Sequence, residues 1–236
     1  MSSIYSMSYL KTKGYIPSGL NKILQLVSPT GDKKTGVILS RIFTDDLLNM
    51  SIKLGFTWQA RDFIFEIALN DNPDAILANF YLSNFIYNTK AFLDSVAISL
   101  NDFYKLGFEG GDIDLVKGSF VNTLEKKSPI LSQYIQKNRK WINEVVDWRM
   151  KIIHRFSILI GSYHTMFDQK GVKQPLRMPA EPISFSAMPE YIYNKGESIN
   201  VVFFIDKWLN SAKELFESTC EDLAEFIVKE NKTTIG

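Results

Sequence analysis

An arginine and a histidine stand five positions apart, at Arg149 and His154, in a segment whose apolar pattern predicts a helix. Histidine titrates near neutral pH and can move protons, and arginine presents a planar fork of donors to phosphate oxygens. Because each helical residue turns the chain by about 100°, five positions place the two side chains about 140° apart. The two residues therefore do not form a simple same-face pair.

The surroundings predicted for Arg149 are apolar. On a helix from Trp141 to Ile160, one arc centred on Arg149 collects the side chains of Ile142, Val145, Val146, Ile152, Ile153, Phe156 and Ile160. An unpaired buried guanidinium costs several kcal/mol, because it cannot be deprotonated. Arg149 therefore needs either a carboxylate from another helix, such as Asp94 or Asp102, or a solvent-filled cleft in the apolar face of its own helix.

Three charged residues near His154 are candidates for supporting roles. Asp147 precedes His154 by two helical turns and can pair with it through Lys151 or a water molecule. Arg155 follows His154 directly and can contact a backbone phosphate, although a solvated cation is the simpler interpretation.

Charge is distributed unevenly along a chain whose formal net charge is +1. Residues 126–155 hold eight Lys and Arg against two Asp and Glu, a net charge of +6, and residues 213–230 hold two Lys against six Asp and Glu, a net charge of −4. The near-zero total excludes a whole-molecule field that would attract DNA or an anionic membrane. A solvated face remains the simpler interpretation of each run.

Apolar periodicity and turn residues predict a helical organisation. Helices are predicted near Ser18–Leu26, from Asp74 to about Leu106, from Ile113 to Glu125, unbroken from Pro129 to Ile160, and from about Ile199 to Lys229. Residues 37–69 are ambiguous between helix and strand, with helix favoured. Gly161 is predicted to end the helix that carries Arg149 and His154, which we call the motif helix. Residues 183–187 are predicted to add a short strand. The sequence therefore predicts an all-α bundle with a loop-rich insertion after the motif helix and a short β element.

Capping residues mark the starts of two predicted helices. Asp71 or Asn72 is available to cap the long helix, with Pro73 at or near its first turn and Asp74 near the positive end of its dipole. Ser128, followed by a proline, is predicted to cap the motif helix.

An Arg-x4-His spacing inside a helix resembles the signature of the HEPN superfamily of all-helical ribonucleases and nucleotide-binding proteins. The order of a long helix, the motif helix, a loop-rich stretch and a final helix extends the resemblance over residues 73–236, and residues 1–72 are then an N-terminal extension that packs on this domain. The resemblance implies a metal-independent endoribonuclease in which His154 moves protons and Arg149 stabilises the charge that develops on the phosphate. One position departs from the family pattern, because Met150 stands where a small polar residue is usual.

The resemblance also implies partners. It implies a homodimer in which two motif helices line one cleft, RNA as substrate, and, for a toxin or defence effector, an antitoxin or regulatory protein. The alternative is a catalytically inactive HEPN-like module for binding or interaction, in which Arg149 is structural.

Cysteine and histidine usage narrows the remaining classes. Cys220 is the only cysteine, so an internal disulfide is excluded; its apolar neighbours at helical spacing predict a packed core thiol, and a reducing, cytoplasmic compartment is expected. No signal-peptide pattern and no apolar run of about 18 residues occurs, so no membrane span is expected. Two histidines, His154 and His164, with no carboxylates at ligand spacing, predict neither a metal site nor a cofactor. Trp141 and Trp148, one heptad apart, are interpreted as core or interface anchors.

Overall fold

The computed structural model describes residues 13, 15, 18–27, 46–70, 73–154, 176–180 and 198–233. Within these ranges the chain is mostly helical, with α1 (Ser18–Val27), α2 (Leu48–Leu69), α3 (Ala75–Tyr104), α4 (Gly118–Glu125), α5 (Pro129–Lys137), α6 (Arg139–His154) and α7 (Val201–Thr233). A 3-10 turn at Gly110–Asp112 precedes α4. No helix in the described ranges is long and apolar enough to cross a membrane.

A small antiparallel sheet completes the described secondary structure. Strands β1 (Arg177–Pro179) and β2 (Ser198–Asn200) pair with Met178 opposite Ile199. The predicted all-α fold with a short β element is confirmed, and so is the helix favoured for residues 48–69. The strand predicted at residues 183–187 and the helix end predicted at Gly161 lie outside the described residues.

The described residues form two compact units. The first unit takes its residues from 1–55, 91–143 and 211–236, and the second from 56–90 and 144–210. Fully buried side chains of the first unit include Ile23, Met50, Phe92, Leu100, Phe120 and Phe216, and those of the second include Ile64, Leu82, Phe85, Val145, Ile205 and Trp208. The division at residues 72 and 73 stays a prediction.

The helix α3 begins one position after the predicted start, and its capping residue differs from the predicted Asp71 or Asn72. Asp74 is the capping residue, because its Oδ1 accepts the backbone N–H of Leu77 at 2.9 Å and its carbonyl oxygen accepts the N–H of Ala78 at 2.9 Å. Pro73 therefore precedes the cap and does not lie in the first turn. A carboxylate at this position also interacts favourably with the helix dipole.

The helix predicted from Pro129 to Ile160 is interrupted, and the prediction of an unbroken helix is wrong at Asn138. The side-chain Nδ2 and the backbone N–H of Asn138 both donate to the carbonyl oxygen of Tyr134, at 2.9 and 3.1 Å. An asparagine that binds nearby backbone in this way competes with helix continuation. The predicted cap at Ser128 is confirmed, because its Oγ accepts the N–H of Leu131 at 3.3 Å.

The helix α4 is shorter than the predicted segment from Ile113 to Glu125. The side chain of Asp114 accepts the backbone N–H of Val116 at 3.1 Å and holds the chain in a turn. As a result, α4 begins only at Gly118.

The acidic run on α7 is not only a solvated face, because four of its carboxylates accept hydrogen bonds within the first unit. Tyr134 donates to Glu214, the backbone and hydroxyl of Ser18 donate to Glu217, the Ser18 hydroxyl also donates to Glu221, and the hydroxyls of Tyr104 and Ser128 donate to Asp222. Burial and the Glu214 carboxylate raise the pKa of Tyr134 to about 12. Burial and the hydrogen bond to Asp222 raise the pKa of Tyr104 further, so both phenols stay protonated donors near neutral pH.

A glycine lets α1 approach α7 closely. A Cβ atom added to Gly19 would lie 2.8 Å from the Cβ of Cys220 and still closer to the backbone of Cys220 and Glu221. Real Cβ atoms essentially never come so near backbone atoms. Gly19 therefore permits the contact that brings Ser18 to the carboxylates of α7.

We expect Asp222→Ala to lower the free energy of unfolding by about 2 kcal/mol, because two buried hydroxyls, on Tyr104 and Ser128, lose their acceptor. Urea denaturation measures the change. Glu109→Ala is the control, since this exposed carboxylate has no side-chain hydrogen bond in the described part of the chain, and we expect it to change stability by less than about 0.5 kcal/mol. Equal effects of the two substitutions would contradict the role of Asp222.

Candidate functional site

Aromatic packing in the second unit holds the part of α6 that carries the motif. The buried ring of Trp148 lies 5.5 Å from the ring of Phe204 on α7, and Phe204 lies 4.4 Å from Trp208. Nearby, the Nζ of Lys207 lies 3.5 Å from the carboxylate of Glu144. These contacts fix which side of α6 faces α7.

The buried face of α6 differs from the predicted arc. Its fully or nearly buried side chains are Trp141, Ile142, Val145 and Trp148. The prediction placed Arg149 at the centre of the arc, but the two tryptophans move that centre by about 50° and leave Arg149 at its edge. The central position predicted for Arg149 is therefore wrong, whereas the interpretation of Trp141 and Trp148 as core or interface anchors is confirmed, because both side chains are buried.

The Arg149 side chain is partly exposed. Its Nη1 lies 3.7 Å from the Sδ of Met150, a side chain that is itself 45% exposed. In the described part of the chain no carboxylate forms an ion pair with Arg149. Asp94 and Asp102, the partners considered from sequence, belong to the first unit, and Arg149 belongs to the second. The guanidinium thus has donors available for an external anion.

His154 is the last described residue of α6, and its side chain lies outside the described part of the structure. Its backbone is helical, as is that of Arg149. Five positions along a continuous helix separate the two Cα atoms by about 7.5 Å along the axis and about 140° around it. The helix backbone therefore places the two residues on different sides of α6, as their spacing predicts.

The predicted supporting residues have different outcomes. Asp147 and Lys151 form an ion pair with each other, with 2.7 Å between Nζ and Oδ2, across one turn of α6. A link from Asp147 to His154 through Lys151 or a water molecule stays a prediction, because the His154 side chain lies outside the described part of the structure. Arg155 and His164 lie outside the described residues.

The sequence did not predict an ion-pair cluster around Arg61, where α2 contacts α7 in the second unit. The Nε of Arg61 donates to Asp206 at 2.7 Å, its Nη1 donates to Asp62 at 3.1 Å, and its guanidinium carbon lies 4.8 Å from the ring centroid of Phe65. The hydrogen bond to Asp206 is the main cause of a raised pKa for Arg61. No sequence signal pointed to the pair of Arg61 and Asp206, because the two residues lie 145 positions apart in the chain.

Other reactive groups do not extend the site. Cys220 is fully buried, and burial raises the pKa of its thiol, which confirms the predicted core thiol. Among the described residues no group of three His, Cys, Asp or Glu side chains is arranged to hold a metal ion.

Three comparisons with known proteins gave no match: none was found among protein-family models, among curated proteins or among solved structures.

We expect Arg149→Ala to change the free energy of unfolding by less than about 1 kcal/mol, because the side chain is partly exposed and leaves no buried carboxylate unpaired in the described chain. Trp148→Ala is the comparison, and we expect a loss of about 4 kcal/mol from the aromatic packing. Urea denaturation of the two variants tests this. A loss of several kcal/mol in Arg149→Ala would show a structural arginine.

Proposed function

We propose that the chain is a HEPN-like, metal-independent endoribonuclease in which Arg149 and His154 act on one phosphate of RNA. The observation that supports this most is the partly exposed guanidinium of Arg149, which has no carboxylate partner in the described chain and precedes His154 by five positions on one helix. An arginine whose N–H donors have no carboxylate partner suits a phosphate, because the planar guanidinium can donate two parallel hydrogen bonds to two phosphate oxygens.

The proposed reaction is an internal transesterification. The ribose 2′-hydroxyl attacks the adjacent phosphorus, and the bond from phosphorus to the 5′-oxygen of the next nucleotide breaks. His154 moves the protons, and Arg149 stabilises the negative charge that grows on the non-bridging oxygens. The products are a 2′,3′-cyclic phosphate and a free 5′-hydroxyl, so the chemistry needs no metal ion.

Basic residues that precede the motif in the sequence support an anionic substrate. Lys137, Arg139 and Lys140 are exposed at the junction of α5 and α6. Exposed cations interact with phosphates independently of sequence, and this interaction weakens as salt rises. The homodimer, and a regulatory protein or antitoxin that would restrain a toxin or defence effector, belong to the same proposal.

A second candidate function is a HEPN-like module that binds without cleaving. The position of Met150 favours it, because the exposed thioether lies against the guanidinium of Arg149 where the family usually has a small polar side chain. In that case the basic run of residues 126–155 would bind an anionic partner, and His154 would have no chemical role.

Cleavage assays with single-stranded RNA in the presence of a chelator distinguish the two candidates. We expect cleavage to continue with chelator and to leave a 2′,3′-cyclic phosphate. We expect His154→Ala and Arg149→Ala each to lower the rate by about 100-fold or more. Lys22→Ala is the control, since it removes an exposed cation outside the basic run of residues 126–155, and we expect it to retain most activity.

The contrary results are equally specific. A requirement for added metal, or full activity in His154→Ala, would exclude the proposed mechanism. Salt-sensitive RNA binding with no cleavage by the folded wild-type protein would favour the second candidate.

A further inference from the structure

The outer face of α3 exposes large apolar side chains within the second unit. Ile76 is 85% exposed, Phe80 59%, and Leu77 and Tyr87 41% each. The opposite side of the same segment carries the buried residues Ala78, Leu82, Phe85, Ile86 and Thr89. The core of the unit therefore covers one side of the helix, and the other side is exposed.

The exposed residues have the spacing of a coiled-coil seam. Leu77, Phe80, Asn84 and Tyr87 follow one another at intervals of three, four and three, which places them at successive a and d positions of a heptad. None of the four is buried, and Ile76 flanks them at a g position. We call Ile76, Leu77, Phe80, Asn84 and Tyr87 the α3 seam. A seam of this spacing is complementary to another copy of itself, because each a or d side chain fits between four residues of the facing helix.

Asn84 indicates how two seams would align. Its side-chain amide has no hydrogen bond in the described part of the chain. An asparagine at an a position of a parallel two-stranded coiled coil lies opposite its own copy, and the two amides hydrogen-bond to each other. An antiparallel alignment would instead place Asn84 opposite an apolar d residue.

The area of the seam fits a weak dimer. A large apolar side chain has an accessible area on the order of 200 Å² when it is fully exposed. At their exposed fractions, Ile76, Leu77, Phe80 and Tyr87 together therefore expose about 450 Å² per copy. This lies in the middle of the range for the largest apolar patch on a monomer, about 300–600 Å². Two copies would cover about 900 Å² of apolar surface, so that the polar neighbours bring the total to about the 1,000 Å² expected of a specific interface.

We propose that the α3 seam is an interface with a second copy of this chain, formed by parallel pairing of the two α3 helices around Asn84. The interface gives a reversible dimer. It holds whether or not the chain cleaves RNA, because it depends on the surface of α3 and not on Arg149 or His154. It also differs from a dimer built on the apolar stripe of the motif helix, since Ile142 and Val145 of that stripe are buried in the protein's own core.

Cysteine cross-linking tests the alignment. The natural Cys220 is fully buried, so a cysteine introduced by Asn84→Cys is the reactive thiol in the folded protein. Under mild oxidation we expect Asn84→Cys to form a disulfide-linked dimer, because paired a positions bring two Cβ atoms within disulfide reach. Ile130→Cys, at an exposed site on α5, is the control and should form no disulfide-linked dimer. Failure of Asn84→Cys to cross-link, or equal cross-linking of the control, would overturn the parallel pairing.

Sedimentation tests the interface without cross-linking. We expect wild-type protein to pass from monomer to dimer as its concentration rises through the micromolar range, and Phe80→Glu to remain monomeric throughout. Ile130→Glu places the same charge at a side chain that is 74% exposed elsewhere, and should dimerise like wild type. Circular dichroism confirms that the variants keep their helices. A wild-type monomer at every concentration, or a Phe80→Glu dimer, would overturn the proposal.

Discussion

The burial of Trp148 sets the rotation of α6 about its own axis, and the position of Arg149 follows from that rotation. Trp148 packs on Phe204, which in turn contacts Trp208, so the helix cannot turn without exposing a large aromatic surface. Burying such a side chain contributes on the order of 2 to 3 kcal/mol. With the tryptophan inside, the next residue lies at the edge of the buried face, and its guanidinium reaches solvent. The same packing that stabilises the second unit therefore presents the arginine.

A different principle organises the first unit. The carboxylates of α7 are bound mainly by hydroxyl groups of serine and tyrosine, which stay neutral near physiological pH. Hydrogen bonds to a charged acceptor contribute more than those between neutral groups. Each bond joins α7 to another element, and Asp222 serves both the end of α3 and the cap of α5. The acidic residues of α7 therefore help to pack the first unit together.

The sequence predicts helices well where one physical signal dominates. Periodicity and a capping carboxylate predict α3 within a few residues, and Ser128 marks the start of α5. The break at Asn138 was not predicted, because it depends on whether a side chain binds the Tyr134 carbonyl or water, and composition does not distinguish these cases. Arg149 was misplaced for a related reason. The predicted arc counted isoleucine, valine and phenylalanine, whereas the larger area of Trp141 and Trp148 decides which face is buried. The hydrogen bonds from Ser18 to Glu217 and from Tyr104 to Asp222 join residues that are far apart in the sequence. Local sequence patterns therefore do not predict them.

The central claim is that Arg149 and His154 act on the same phosphate. Nuclear magnetic resonance tests it directly, because the chain has only two histidines and His154→Ala assigns their imidazole signals. A nucleoside 2′,3′-cyclic monophosphate is the probe, since it is the product end of the proposed reaction. We expect the probe to change the chemical shift of the His154 imidazole in wild-type protein and to leave it unchanged in Arg149→Ala. A His154 signal that does not respond in wild type, or responds equally without the arginine, would contradict it.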